Sequence, residues 1–225
     1  MALSLVGHAD SYISIDLEAV SGNWRYIDSL SSAGPRTAAV VKANGYGLGA
    51  NEVAKSLTKA GCKMFFVANL DEGIALRQSL GACNGWQPII TTLHGYHANQ
   101  QDDYHKYKIA PVLNDPEQLS QWRVFSQNQS EPLPALIHFD TGMNRLGFDP
   151  DQSDWLVNNK SAIDGVRCVA IMSHLASAEI YNDPKNAVQL AAFSKIRSSF
   201  VRIRFDSKYR CNTVSIINIK VIIKG

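Results

Sequence analysis

The 225-residue chain has no Cys-x-x-Cys pair; its four cysteines, Cys62, Cys83, Cys168 and Cys211, stand far apart. That spacing excludes a disulfide framework or a zinc knuckle and fits buried thiols in a reducing compartment. The first residues, Met1 to Gly7, lack a basic stretch and a long apolar core, so no secretory signal is expected. No apolar run approaches the roughly 20 residues that a membrane span needs. Strong charge of one sign is missing as well: the formal total is +2, which selects neither an acidic nor a basic partner. These absences point to a cytoplasmic protein that engages neither membrane nor nucleic acid.

With 45% hydrophobic and 19% charged residues, the chain has ordinary globular composition and enough length for one large α/β domain or two small ones. Apolar runs near 37–42, 64–67, 88–93, 109–113, 134–139 and 166–172 read as strands, each followed by a helical pattern. A further strand is expected over Tyr12–Leu17, with a helix after it to about Leu30. Asn69 with Glu72 three residues on resembles a capping box, and Gly81 ends that helix. Val53, Ala54, Leu57 and Ala60 mark one face of the helix before Gly61. Such alternation predicts a parallel sheet with helices outside it, and continuously apolar strands suit a sheet covered on both faces. Six βα units are visible, whereas a closed (β/α)8 TIM-type barrel has eight.

The segment Thr37-Ala-Ala-Val-Val-Lys42-Ala-Asn-Gly45-Tyr46-Gly47-Leu-Gly49 carries most of the chemistry. Residues at the carboxyl ends of parallel strands face the active site, which places Lys42 where catalytic groups collect. A lysine at the mouth of an apolar strand is in the setting where one can condense with an aldehyde cofactor. Gly45, Gly47 and Gly49 would let backbone N–H groups approach an anion, and Asn51 would cap the following helix. A lysine that merely reaches for water, followed by an ordinary βα turn, fits the same spacing. His94 and His97 have metal-like i, i+3 spacing but no carboxylate beside them, and read as loop; no metal site is expected.

The string around Lys42 resembles the cofactor-lysine motif of the alanine racemases. His138-Phe-Asp140-Thr141-Gly142-Met143-Asn144-Arg145-Leu-Gly147-Phe148 resembles that family's Asp-Thr-Gly-Met-x-Arg-Leu-Gly loop, and Ile171-Met-Ser173-His174 its histidine-bearing strand end. The segments Phe65–Arg77 and Ile109–Leu113 look like family elements too. The motifs follow family order over roughly residues 10 to 200. The resemblance implies pyridoxal 5′-phosphate as cofactor, held covalently on Lys42, which also serves as a base. Tyr46 would bind the phosphate, Arg145 the phenolic oxygen and the substrate carboxylate, and His174 would stack on the ring. The implied activity is interconversion of L- and D-alanine for peptidoglycan precursors, by a homodimer whose second domain lends an opposite-face tyrosine base. Some members carry a carbamylated lysine where this chain has His138, which leaves the support of Arg145 open.

Residues 201–225 differ in kind. Arg202, Arg204, Lys208, Arg210, Lys220 and Lys224 stand against Asp206 alone, a net of +5 that leaves −3 for residues 1–200. Without interleaved aromatics this is not read as a nucleic-acid arm. The expected organisation is therefore a barrel-like domain over 1–200, incomplete and lacking the family's C-terminal β-domain, and a basic tail over 201–225. The tail reads as a truncated or frameshifted end whose 214–223 run is strand-like. Two other functions are compatible with the length: a non-catalytic barrel that binds pyridoxal phosphate, and an inactive product of a damaged gene.

Overall fold

The computed structural model describes residues 13–30, 37–81, 87–201 and 215–216. Seven strands lie in one sheet in the order β1 to β7, each parallel to the next: Ala39–Val40, Met64–Val67, Ile89–Thr92, Ile109–Leu113, Leu133–His138, Val166–Met172 and Ser215–Ile216. Among the described residues eight α-helical segments and one 3-10 turn (Lys160–Ile163) accompany them: α1 (Leu17–Ser29), α2 (Lys42–Tyr46), α3 (Ala50–Ala60), α4 (Leu70–Leu80), α5 (Gln101–Lys106), α6 (Pro116–Gln127), α7 (Pro150–Asn158) and α8 (Pro184–Val201). This is the α/β architecture expected from the alternation, with six βα units and the short β7 at the far end of the ladder. Of residues 201–225, expected as a basic tail, only Val201, Ser215 and Ile216 fall among the described residues. Cys83 and Cys211 lie outside them, while Cys62 and Cys168 are buried.

The two faces of the sheet pack differently. Residues pointing outward, such as Phe65, Val67, Ile90, Ile109 and Ile137, join the helices in the larger core, which includes Trp122 and Tyr104. The opposite face gathers a smaller cluster of strand residues, Val40, Phe66, Ala110, Val112, Leu136, Ala170 and Met172. Period-two alternation within continuously apolar strands gives this double burial, as in a sheet whose inner face packs on itself. Burial of the outer helices follows the predicted faces: Val53, Ala54, Leu57 and Thr58 are the buried residues of α3, and Ala60 is partly covered.

One expected element is absent. The alternating Ile13-Ser-Ile15-Asp16 pairs with no strand among the described residues; Ile13 is 87% exposed, and Tyr12 lies outside those residues. Asp16 is instead the N-cap of α1, its carboxylate accepting from the amides of Glu18 and Ala19 at 3.0 Å. An alternating pattern specifies a strand only where a sheet edge is there to receive it.

Candidate active site

The carboxyl ends of β1, β5 and β6 carry the singled-out residues. β1 leaves the ladder at Val41, whose N–H still donates to Phe66 O at 2.8 Å. The next ladder bond of a parallel pair would run from Ala68 N–H to Val41 C=O. Val41 C=O instead accepts from Gly45 N–H at 2.8 Å, because the chain winds into a left-handed turn through Ala43, Asn44 and Gly45 (φ 51°, 53° and 65°). Tyr46 and Gly47 continue with φ of 55° and 88°. Lys42 opens this turn and is half-buried. Left-handed backbone costs a non-glycine residue about 1–2 kcal/mol, so the surroundings must hold the turn in place.

Part of that support is internal. Gly47 N–H donates to Ala43 O, Gly49 N–H to Asn44 O, and Ala50 N–H to Asn44 Oδ1 at 3.0 Å. The three glycine amides therefore close the turn rather than offering themselves to an anion, which corrects the expected cradle. Helix α3 has Gly49 at its N-cap without a side-chain bond, and Asn44 rather than Asn51 receives the first free amide. A Cβ on Gly45 would meet Ala50 N at 3.2 Å, so glycine there permits the close approach of turn and helix.

Glu72 supplies the rest of the support. Asn69 caps α4 as expected, accepting from Glu72 N–H at 3.0 Å. The Glu72 side chain, however, accepts from Ala43 N–H at 2.8 Å and from Ala68 N–H at 2.7 Å. The second bond covers the amide that β1 abandoned, and the first reaches the residue after Lys42. The cap-like spacing was legible in the sequence; the partner of the carboxylate was not.

Arg145 sits in the loop after β5. Asp140 Oδ1 accepts from the amides of Gly142 and Met143 at 2.8 Å, and Phe148 closes the loop through Asp140 N–H to Phe148 O and Phe148 N–H to His138 O, both 2.8 Å. Asp149 caps α7 with a capping box completed by Gln152. Both neighbouring carboxylates thus serve the backbone, and Arg145 is exposed. His174 follows β6 and is half-buried. Burial, then the positive charges of Arg145 and Lys42, hold its imidazolium below the usual range, against a smaller opposing pull from Glu179. Lys42, Arg145 and His174 therefore act within one local field. Tyr46 extends from the same turn as Lys42, 48% exposed, with its phenol pushed up by partial burial.

A layer of polar groups lies beneath these residues, in which only His138 was singled out by the sequence. Gln189, on α8, donates to His174 O at 2.9 Å and Thr141 Oγ1 at 3.3 Å, and accepts from Ala176 N–H at 2.9 Å. Thr141 Oγ1 and Ser173 Oγ lie 2.7 Å apart. His138 Nδ1 faces Asn114 Oδ1, and His138 Nε2 is buried with no hydrogen-bond partner. Burial, then the charge of His174, bring His138 down to about 4. No cluster of three or more metal-ligating side chains occurs among the described residues, and no described helix is long and apolar enough to cross a membrane.

Arranged in this way, a primary amine, a guanidinium and a histidine held toward its neutral form suit an anionic aromatic aldehyde. The amine can bond the carbonyl, the imidazole can lie against an uncharged ring, and the guanidinium can meet an acidic oxygen. The donor set therefore fits pyridoxal 5′-phosphate, with the Tyr46 hydroxyl free to meet a phosphate.

Comparison with known proteins identifies the family. Residues 15–221 match the family description "Alanine racemase, N-terminal domain". A catabolic alanine racemase of Mesorhizobium japonicum is 40% identical over 194 residues, covering 86% of this chain and 50% of the relative. The alanine racemase of Rickettsia prowazekii is 36% identical, covering 85% and 46%. Among solved structures, alanine racemase from Bartonella henselae, with covalently bound pyridoxal phosphate, superposes with TM-score 0.75 at 33% identity, covering 82% of this chain and 52% of that one. The chain spans about half the length of the curated relatives it matches.

Proposed function

The chain belongs to the alanine racemase family, and from that premise we propose that it binds pyridoxal 5′-phosphate on Lys42 and takes part in interconverting L- and D-alanine. Membership of the family makes it a pyridoxal-phosphate-dependent amino-acid racemase by type. The observation that carries the reading for this chain is the position of Lys42, Arg145 and His174 in the segments that leave the carboxyl ends of β1, β5 and β6 of one parallel sheet. Bound there, the cofactor would supply an electron sink for the α-carbon of an amino acid.

The residues then divide the work. Lys42 would hold the cofactor aldehyde, and its amine would take or return the α-proton on one face. Arg145 binds the substrate carboxylate and the cofactor's phenolic oxygen. His174 would lie against the ring; kept toward its neutral form by burial and by two cations, it would add little charge there. Tyr46 meets the phosphate. Inversion needs a second base on the opposite face, since one base returns the proton where it was taken; in the homodimer we propose, the partner subunit contributes it. Alanine as substrate, D-alanine for peptidoglycan as product and a cytoplasmic setting belong to the same reading.

The test is spectroscopic. Titrated with pyridoxal phosphate, the chain should develop an absorbance band near the visible edge that borohydride bleaches, leaving the label on Lys42. Lys42→Ala should show no such band. A band unchanged in the variant would refute the assignment, and a coupled assay for D-alanine tests the turnover.

A further inference from the structure

We propose that Glu72 is a positioning residue for Lys42, its carboxylate fixing the left-handed turn that Lys42 opens. The proposal rests on the reading that Lys42 holds the cofactor, but its geometry is independent of that reading. Three non-glycine residues of the turn, Ala43, Asn44 and Tyr46, have positive φ, a conformation that persists only where surrounding bonds over-determine it. The bonds inside the turn hold the amides of Gly45, Gly47, Leu48, Gly49 and Ala50. Ala43 N–H, the amide immediately after Lys42, is held from outside by Glu72 Oε1 at 2.8 Å.

The other carboxylate oxygen anchors the clamp. Glu72 Oε2 accepts from Ala68 N–H at 2.7 Å, the first residue after β2. One side chain thus joins the carboxyl ends of β1 and β2 at the point where their ladder stops. Glu72 stands in the first turn of α4, whose cap Asn69 and buried Leu70, Gly73, Leu76 and Arg77 set it against the sheet. The direction of the Lys42 side chain therefore depends on a carboxylate 30 residues away in sequence that need not touch the cofactor.

Separating positioning from plain stability requires a matched pair of variants in the 225-residue chain. Glu72→Ala removes both clamp bonds and leaves the Asn69 cap. Asn69→Ala removes the cap and leaves the clamp. Each is incubated with pyridoxal phosphate at a temperature where circular dichroism shows it folded, then reduced with borohydride, and the label at Lys42 is quantified by peptide mass. We expect Glu72→Ala to lower the initial rate of labelling at Lys42 at least tenfold and to weaken the visible band, with Asn69→Ala within twofold of the wild type. Equal labelling in Glu72→Ala and wild type would overturn the proposal alone, as would an equal loss in both variants. A wild-type chain that takes no label at Lys42 would overturn the cofactor reading and this proposal together.

Discussion

Asn114 fixes the tautomer of His138. Its amide nitrogen donates to Leu93 O at 3.1 Å and Val112 O at 3.2 Å, so its oxygen is the atom that faces His138 Nδ1 at 2.9 Å. Nδ1 must then carry the proton, and the buried Nε2 is left as a lone pair. The imidazole is thus uncharged at neutral pH, with burial as the leading cause.

A pH dependence of stability follows. The folded value of His138 is depressed from 6.5 to about 4, so its contribution is complete above the unfolded value and is lost as pH falls toward the folded one. Between these limits the unfolded chain binds the extra proton, at up to about 1.4 kcal/mol per pH unit, or about 3 kcal/mol across the window. Urea unfolding at pH 7 and pH 4.5 should show the wild type losing more stability than His138→Gln. Parallel losses in the two proteins would refute this account of His138.

Arg145→Ala should leave the fold nearly intact. The guanidinium is exposed, and the loop is held by Asp140, Gly147 and Phe148 rather than by the arginine. The expected cost is within about 1 kcal/mol in urea, while alanine should perturb the cofactor band only at much higher concentration. A large fall in unfolding midpoint would instead make Arg145 structural.

Gly147→Ala should have the opposite balance. Gly147 has φ +110°, and a Cβ there would lie 2.8 Å from Asp140 N and 3.0 Å from Phe139 C, both backbone atoms. Relief would break the bonds between Phe148 and the β5 end, so about 2–4 kcal/mol should be lost. Gly47→Ala is the control: its φ is +88° but nothing lies within 4 Å, so only the strain of about 1–2 kcal/mol remains. Thermal melts of the two variants should rank in that order, and a reversed order would refute the packing argument for Gly147.

The sequence made the scaffold legible because parallel strands buried on both faces leave unbroken apolar runs, as at Ile109–Leu113 and Leu133–His138. Lys42, Tyr46, Arg145 and His174 stood in contiguous strings at strand ends, and the structure puts them at one edge. What stayed hidden depended on atoms distant in sequence. Glycine spacing suggests an anion cradle, yet only the path of Val41 C=O shows that those amides are spent within the turn. Glu72 has the spacing of a capping residue, and its true partners appear only when β1 and β2 lie side by side. Asn114 and Gln189 belong to no motif; a buried amide reveals its use only through the groups it orients.

Gln189 gives the last test, because its role separates donors from acceptors. It is 3% exposed and ties α8 to both loops, donating to Thr141 Oγ1 and His174 O while accepting from Ala176 N–H. Gln189→Leu leaves those partners unpaired and should cost about 1–3 kcal/mol. Gln189→Glu keeps the shape and the acceptor for Ala176 but turns lone pairs toward His174 O and buries a charge, so at pH 7 it should cost more than leucine. Protonation gives the carboxyl a hydroxyl that can donate to His174 O. The glutamate variant should therefore recover relative to the wild type measured at the same pH as the pH is lowered, while the leucine variant should not. Urea midpoints of the three proteins at pH 7 and pH 5 decide it: a glutamate variant as stable as wild type at pH 7 would mean that the donors of Gln189 hold nothing, and the coupling of the Arg145 and His174 loops through α8 would fall with them.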